Sequence, residues 1–332
     1  MDGLPDGIGR LASVAVTVRG QIYIFGGYTV AEDHSERSTP EVWRFDPASE
    51  TYTHITDIPV PVDDTVALVH QDRYIYLVSG WHDTDNVDLV QVYDVEEDRW
   101  FEATPFPGAP VFGHAGAIDR DNVIHVCGGT RVVPPPAPGE HRSFAATADC
   151  WLGSLGDDPS QIEWSAGIDV PSGAFYRGAA YRDFRAIVFV AGTDNAYNYN
   201  GIGYNGEPSE PRSDTLTFIP RPADLRECEA PRIRAGRSAP IGHWGTHEGI
   251  RFMDIRGVVQ GNIHGNTRTF ALGGMGANQT VRDTVVELPR FVMAAEDTVL
   301  YALICVDPPV VGSDPNQPRH KTFISPANHE PL

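Results

Sequence analysis

Short apolar runs, separated by polar turns and closed by glycine, repeat along most of this chain. Each repeat has two short apolar strands, a polar turn between them, and a small residue plus glycine at the end. Five segments share the pattern, at 12–27, 65–80, 114–129, 178–192 and 257–274. Short apolar runs that end in Gly, Asn, Asp or Pro predict β-strands, and few segments could sustain the stripe of a helix. The pattern therefore predicts an all-β protein.

A third strand and an aromatic residue follow the first two segments. The aromatic residue, Tyr52 or Trp100, lies seven residues beyond Phe45 or Tyr93, and a proline-containing junction then leads to the next unit. One four-stranded sheet cannot bury both of its faces, whereas sheets packed radially cover each other. The glycines would let neighbouring backbones approach closely. The alternative is a β-sandwich with coincidental hairpins.

The unit resembles the kelch repeat, which has four antiparallel strands, a double glycine after the second and an aromatic residue after the third. The resemblance covers about residues 5–290 and implies a kelch-type β-propeller. It predicts five clear four-stranded blades plus an incomplete or irregular sixth. Residues 1–290 would form the propeller, and residues 291–332 would complete or close the ring within a single domain. The fourth unit departs from the pattern, since it lacks the aromatic residue and the stretch 220–252 is irregular.

The long connections all fall on one face of the predicted propeller. In an antiparallel meander, the loop between the second and third strands emerges on the same face as the connection between blades. These loops lie at 28–40, 81–89, 130–149, 193–213 and 275–282. Loops carry function when a rigid scaffold positions them, so this long-loop face is the candidate binding face.

Each innermost strand has a polar residue at its start on the long-loop face. These residues are Arg10, Asp64, His114, Arg177 and Arg256. They are expected to ring the mouth of the central channel and to bind a ligand there; the alternative is that they only brace the ring. Tyr197, Tyr199, Trp81 and His82, from the long loops of blades four and two, complete the candidate ligand-binding set.

The charge balance limits the partners. Twenty-five Lys+Arg face 45 Asp+Glu, a net charge of −20, which argues against nucleic acid and anionic membranes. No apolar run reaches the ~18 residues of a membrane span, and the start of the chain lacks the apolar core of a signal peptide. Cys127 lies in an apolar run, so a buried thiol is favoured over a disulfide. A cytoplasmic or reducing location is then expected.

No metal or cofactor motif stands out. Asp83, Asp85 and Asp88 lack the spacing of an EF-hand loop, so a solvated turn is expected there. The histidines show no zinc-binding spacing. We therefore predict neither a metal nor a cofactor.

A second, weaker resemblance is to bacterial sialic-acid epimerases (mutarotases), which are kelch propellers with a long Asn/Tyr/Gly loop after a double glycine. It implies catalytic roles for Glu207, or alternatively Glu210, and for Arg256. The glutamate would move a proton at the anomeric hydroxyl, and Arg256 and Arg177 would pair with the sugar carboxylate. Whether the protein is an enzyme stays open at this point.

The first hypothesis is instead a binding scaffold that holds a protein segment or a glycan, work that tyrosine and asparagine suit. In either case we expect the loop 193–213 to fold over the channel mouth. It would bring Tyr197, Tyr199 and Glu207 towards Arg177 and Arg256.

Overall fold

The computed structural model describes residues 3–135, 137, 139–220, 242–255 and 257–290. Within these ranges the chain is built of β-strands, and its single helical element is the short 3-10 turn Ala277–Gln279. Five antiparallel sheets follow one another along the chain and form the blades.

The strands of each blade run from the centre outwards in chain order. Blade one holds β1 (Val14–Val18), β2 (Gln21–Phe25), β5 (Val42–Asp46) and β6 (Thr51–His54). Blade two holds β7 (Val66–His70), β8 (Tyr74–Val78), β11 (Val90–Asp94) and β12 (Arg99–Ala103). Blade three holds β13 (Ala115–Ile118), β14 (Val123–Cys127), β17 (Cys150–Leu155) and β18 (Ile162–Ala166).

Blade four has the longest strands: β19 (Tyr176–Asp183), β20 (Ala186–Thr193), β21 (Asp214–Pro220) and β22 (Gly242–Glu248). Blade five has three strands among the described residues: β23 (Val258–Ile263), β24 (Asn266–Leu272) and β25 (Val285–Leu288). The long loops of blades one to three each contain a small hairpin, formed by β3 (Tyr28–Val30) with β4 (Glu36–Ser38), β9 (Trp81–His82) with β10 (Asp85–Asn86), and β15 (Thr130–Val133) with β16 (Ser143–Ala146).

The core lies between the blades. Phe25 and Val42 of blade one pack in one cluster with Ile75 and Leu77 of blade two, and similar clusters join blade two to three, three to four and four to five. Blades two, three and four therefore bury both faces against their neighbours, as the alternation of apolar side chains predicts.

The small residue plus glycine ends the second strand of every blade with two successive left-handed residues. The pairs are Gly26–Gly27, Ser79–Gly80, Gly128–Gly129, Ala191–Gly192 and Gly273–Gly274. The second member is always glycine, which has no Cβ to disfavour positive φ. Its N–H then reaches the next blade, as in the bonds from Gly129 to the Phe175 carbonyl at 2.7 Å and from Gly192 to the Phe252 carbonyl at 2.8 Å.

The predicted all-β propeller with five blades is confirmed. Blade four also has an outermost strand: β22 pairs along β21, and Trp244 packs on Phe218 with ring centroids 5.1 Å apart. Residues 242–248 therefore form a regular strand although their sequence pattern is irregular. Residues 221–241 lie outside the described residues. Residues 291–332, with the expected sixth blade or ring closure, also lie outside them, so that expectation stays a prediction.

The expected free thiol at Cys127 is wrong. Cys127 and Cys150 lie directly opposite each other on β14 and β17 and form a disulfide, with Cα atoms 4.2 Å apart. The long loop between them returns the chain into register, which spacing along the sequence does not reveal. In the described part of the chain, no helix has the length and apolar character to cross a membrane.

Replacing Gly27 with valine should destabilise the propeller by more than about 1 kcal/mol. Gly27 has φ +92°, and a Cβ there would lie 2.6 Å from the Leu11 carbonyl oxygen. Urea unfolding would measure the effect. The control is Gly156→Val, because a Cβ on Gly156 meets no atom within 4 Å. Equal stabilities for the two variants would show that the double glycine is incidental.

Candidate functional site

The channel mouth is built from five equivalent residues, one just before or at the start of each innermost strand. They are Ala12, Asp64, Gly113, Arg177 and Asp254, all with left-handed φ between 49° and 65°. In each blade, the residue just before this position forms a β-bridge with the residue that follows the small-plus-glycine ending of the second strand. Asp63, for example, pairs in this way with Trp81.

Backbone hydrogen bonds run between these positions from blade to blade. The Asp64 N–H donates to the Ala12 carbonyl at 3.2 Å, the Gly113 N–H to the Asp64 carbonyl at 2.8 Å, and the Arg177 N–H to the Gly113 carbonyl at 2.7 Å. We call this series the inner belt. The belt fixes the side chains of its members around the centre of the ring.

Arg177 is the centre of the site. Its Nη2 donates to Oδ2 of Asp64 at 2.7 Å, and its Nε lies 4.0 Å from Oδ1 of Asp254. The side chains of Arg177 and Asp64 are only 4% and 3% exposed. The guanidinium carbon also lies 5.1 Å from the ring centroid of Tyr176 and 4.9 Å from that of Tyr197, distances that allow cation–π attraction. A charge this deeply buried needs such partners.

The buried surroundings shift the protonation of these groups. Burial lowers the pKa of Arg177, but nearby groups that include Tyr176 and Asp254 outweigh it and hold that pKa above its ordinary value. Burial raises the pKa of Asp254, and the charge of Arg177 offsets part of that rise. Burial also raises the pKa of Tyr197, so its hydroxyl stays protonated at neutral pH. The site thus holds a fixed cation beside neutral tyrosines.

His114 is buried beside the belt and is neutral. Its Nε2 donates to the Val78 carbonyl at 2.8 Å, and burial lowers the pKa of the imidazole to about 4. Because the carbonyl can only accept, the proton of the neutral ring is on Nε2.

The loop 193–213 crosses the mouth as a lid. Tyr197 is the lid residue that is fully buried on its inner side, and the Tyr197 carbonyl accepts a hydrogen bond from the Tyr176 hydroxyl at 3.0 Å. On one side, Gln279 of blade five donates to the Ser209 carbonyl at 3.0 Å. On the other, Tyr204 stacks on Phe144 of blade three with ring centroids 4.2 Å apart. The lid is therefore held by its neighbours on both sides.

The predicted loop residues divide into two groups. Tyr197 lies beside Arg177, as expected. Tyr199 is 57% exposed, and Glu207 is also exposed, with contacts only through its backbone: its carbonyl accepts from Gly203 and Asn195. Neither Tyr199 nor Glu207 forms an ion pair or side-chain contact with Arg177 in the described part of the structure.

Trp81 and His82 belong to the rim of the mouth. The Trp81 ring packs edge-on against Phe112, and Arg142 lies over its face at 5.1 Å. Nδ1 of His82 lies 2.6 Å from the Pro61 carbonyl. These contacts place an aromatic surface on the long-loop face beside the lid.

Arg10 does not lie in the ring of mouth residues, so its predicted position is wrong. It bonds instead to Asp6 and Thr39, because Ala12, two residues later, occupies the belt position of blade one. Arg256 lies outside the described residues. Asp254, which the sequence reasoning missed, takes the corresponding place in blade five. Counting from the start of the strand, as with Asp64, leads to Arg256 instead, so the bridge between Met253 and Met275 is needed to identify Asp254.

In the ranges that the structure describes, no group of three or more His, Cys, Asp and Glu side chains is arranged to hold a metal ion. The geometry offers binding through one buried arginine, two acidic side chains, tyrosine rings and a histidine.

A family model described as the Kelch motif matches residues 9–59, which span the whole of blade one and its links to the neighbours. The chain is a kelch-repeat β-propeller. The chain is 23% identical over 265 residues to Kelch-like protein 15 of Danio rerio. That alignment covers 64% of this chain and 41% of the relative. The chain is also 30% identical over 118 residues to Kelch-like protein 40a of Danio rerio, which covers 34% of this chain and 19% of that protein.

The kelch fold is also seen in a solved structure described as "Structure of YjhT". That structure has a TM-score of 0.60 and 14% identity, and the match covers 84% of this chain and 81% of the other. At this identity the likeness concerns the fold alone. The kelch propeller spans about one to two fifths of the length of the curated relatives that it matches.

Arg177→Met should destabilise the kelch propeller by about 3 kcal/mol or more, because it removes the cation that faces the buried Asp64 and the partly buried Asp254. Urea unfolding at neutral pH would measure this. The control is Arg268→Met, since Arg268 pairs with Glu287 at the surface, both side chains being more than two fifths exposed. There we expect a much smaller loss, because water screens an exposed ion pair. Similar small losses in both variants would contradict a structural charge at the mouth.

The neutral state of His114 predicts an acid-sensitive stability. A histidine whose folded-state pKa is depressed to about 4 supports folding fully above the unfolded value near ~6.5. This support falls as the pH drops towards 4, by up to about 3 kcal/mol. His114→Gln should remove this part of the acid dependence in unfolding measured between about pH 7 and pH 4.

Exposed His141 provides the comparison for this experiment. His141→Gln should keep the acid dependence of the wild type. If His114→Gln keeps it as well, the buried neutral imidazole is not its source.

Proposed function

We propose that this kelch propeller is a binding scaffold that holds a protein segment or a glycan on its long-loop face, over the channel mouth. The observation that carries the proposal is the lid. It is fixed to blades three and five, yet it leaves Tyr199 57% and Tyr204 39% exposed on its outer side. Kelch propellers generally bind proteins, and the relatives that this chain matches are Kelch-like proteins.

The exposed side chains of the lid suit recognition. Tyrosine offers a large contact area with a hydroxyl that can donate or accept a hydrogen bond, and it loses little conformational entropy on binding. The Phe144 ring beneath Tyr204 and the Arg142 guanidinium near it, 5.6 Å from the centroid of that ring, make a firm base. A surface that is already ordered loses less entropy when a partner binds. The net charge of −20 supports the expectation that nucleic acid is not the partner.

The mutarotase-type alternative has less support. It draws on the buried Arg177 at the mouth, which would pair with a sugar carboxylate, but it also needs an acid–base group close by. The predicted group, Glu207, is exposed and has no side-chain contact with Arg177 among the described residues. A mutarotation assay on a carboxylate-bearing sugar, with Glu207→Gln as the variant, would decide: activity in the wild type that the variant loses would favour the enzyme.

A cytoplasmic location stays a prediction. The Cys127–Cys150 disulfide argues for the opposite, because disulfides persist mainly in oxidising compartments.

Ligands for the binding test can be selected from a peptide display library and a glycan array with the wild-type chain. Their affinities are then measured by calorimetry for the double variant Tyr199→Ala/Tyr204→Ala. We expect the variant to bind at least about tenfold more weakly, since buried tyrosines at interfaces often contribute more than about 1.4 kcal/mol.

The matched control is Phe184→Ala. Phe184 is 59% exposed and lies on the short turn between β19 and β20, on the opposite face. Equal weakening in both variants, or unchanged binding in the lid variant, would place the binding surface elsewhere.

A further inference from the structure

A small polar cavity lies at the centre of the inner belt, below the lid. It is lined by the belt residues Ala12, Asp64, Gly113 and Arg177 and by the residues that follow them, Ser13, Thr65, His114 and Gly178. Four blades therefore contribute to one cavity. It offers about 10 Å³ to the centre of a water-sized sphere, which is about the room that one water molecule needs.

Two buried side chains on the wall of this cavity have unused hydrogen-bonding capacity. Among the described residues, Nε and Nη1 of Arg177 and Nδ1 of His114 are buried and have no hydrogen-bond partner. Both side chains are more than nine-tenths buried. Buried polar groups are normally satisfied, by protein or by ordered water, and leaving one unsatisfied costs about 1–3 kcal/mol. These groups therefore point to an occupant.

Arg177 and His114 require opposite kinds of hydrogen-bonding partner. Every N–H of Arg177 is a donor and needs an acceptor. Nδ1 of His114 is an acceptor and needs a donor, because Nε2 carries the ring proton and gives it to the Val78 carbonyl. The occupant must therefore both accept and donate.

This requirement excludes the simple ions. Chloride or a carboxylate would accept from Arg177 but could give no proton to Nδ1 of His114. Ammonium or a lysine amine would donate to His114 but could not accept from Arg177, and it would be repelled by the guanidinium. A hydroxyl group does both, and water is the smallest molecule that carries one.

We propose that this cavity is a hydroxyl site, held by one ordered water that accepts a hydrogen bond from Arg177 and donates one to Nδ1 of His114. The lining also includes Ser13, Asp64 and Thr65, whose side chains carry oxygen atoms that could accept the water's second proton. The site joins residues of four blades at the axis of the ring. It does not depend on which partner binds the long-loop face, but a ligand that reached the cavity would replace the water with a hydroxyl of its own.

A high-resolution crystal structure of the full chain, grown with and without sodium bromide, tests the proposal. We expect one density peak within about 3.2 Å of Nδ1 of His114 and of a nitrogen of Arg177, with no anomalous signal from bromide. An anomalous peak would make it an anion site. The absence of any density peak would show that the cavity holds no ordered molecule. Either result overturns the proposal.

Nitrogen-15 NMR of the imidazole of His114 gives a second readout in solution on the unmodified protein. We expect a protonated Nε2 and an unprotonated Nδ1 whose chemical shift shows an accepted hydrogen bond. A protonated Nδ1, or an unprotonated Nδ1 that accepts no hydrogen bond, contradicts the proposal even if variants at this position fail to fold.

His114→Leu removes the acceptor while a side chain of similar size keeps the position filled. We expect the water peak to be lost in this variant and kept in His70→Leu, which changes a second buried histidine outside the cavity lining. A water that stays in place without the imidazole would show that His114 does not hold it.

Discussion

The inner belt of backbone hydrogen bonds is the constraint on which the rest of this propeller depends. Each bond joins one innermost strand to the next, and each requires a left-handed residue at the same position in its blade. A second series of bonds starts from the glycines that end the second strands, such as Gly129 and Gly192. Side-chain packing between blades is non-directional, whereas these bonds set both the spacing and the angle of adjacent sheets. The repeated glycines are thus a requirement of blade-to-blade geometry.

The mouth reverses the usual distribution of polar and apolar groups. A charged arginine and two acidic side chains lie at the axis, and the lid covers them with the Tyr197 ring and with Ala196, which pack in one cluster with Met275 of blade five. Because Arg177 and Asp64 are almost fully buried, their charges interact more strongly than they would at the surface. The same burial makes Arg177 dependent on Asp64, and it keeps His114 neutral. The scaffold holds this polar centre, while the exposed outer side of the lid is free to meet a partner.

The sequence predicts the parts of this structure that depend on local pattern. Five pairs of strands, the small-plus-glycine endings and the face that carries the long loops all follow from alternation and turn residues. Positions that depend on register are harder. Arg10 is polar and close to the first strand, yet the belt position is Ala12, and a two-residue shift moves a side chain from the axis to the rim. Asp254 was missed in favour of Arg256 for the same reason.

Contacts between segments far apart in the chain cannot be obtained from pattern at all. The disulfide between Cys127 and Cys150 depends on how a twenty-residue excursion returns to the sheet. Whether Tyr197 or Tyr199 turns inwards depends on the fold of the lid, because the local sequence does not distinguish the two tyrosines; Tyr197 is buried and Tyr199 is 57% exposed. Trp244 was hidden by the unusually long stretch before β22. In each case the missing information is a three-dimensional register.

The shared left-handed backbone of the belt also limits which amino acids can face the channel. Only glycine, asparagine and aspartate adopt this conformation readily. The set of residue types favoured for a ligand site at the axis is therefore small, and its side chains carry oxygen acceptors. Ala12, with φ 56°, and Arg177, with φ 49°, are exceptions to this preference, and strained residues of this kind cluster at functional sites. Exchange between aspartate and asparagine at 254, whose side chain is 23% exposed, would change the charge of the channel while keeping its backbone conformation. The fold thus lets its electrostatics evolve separately from its architecture.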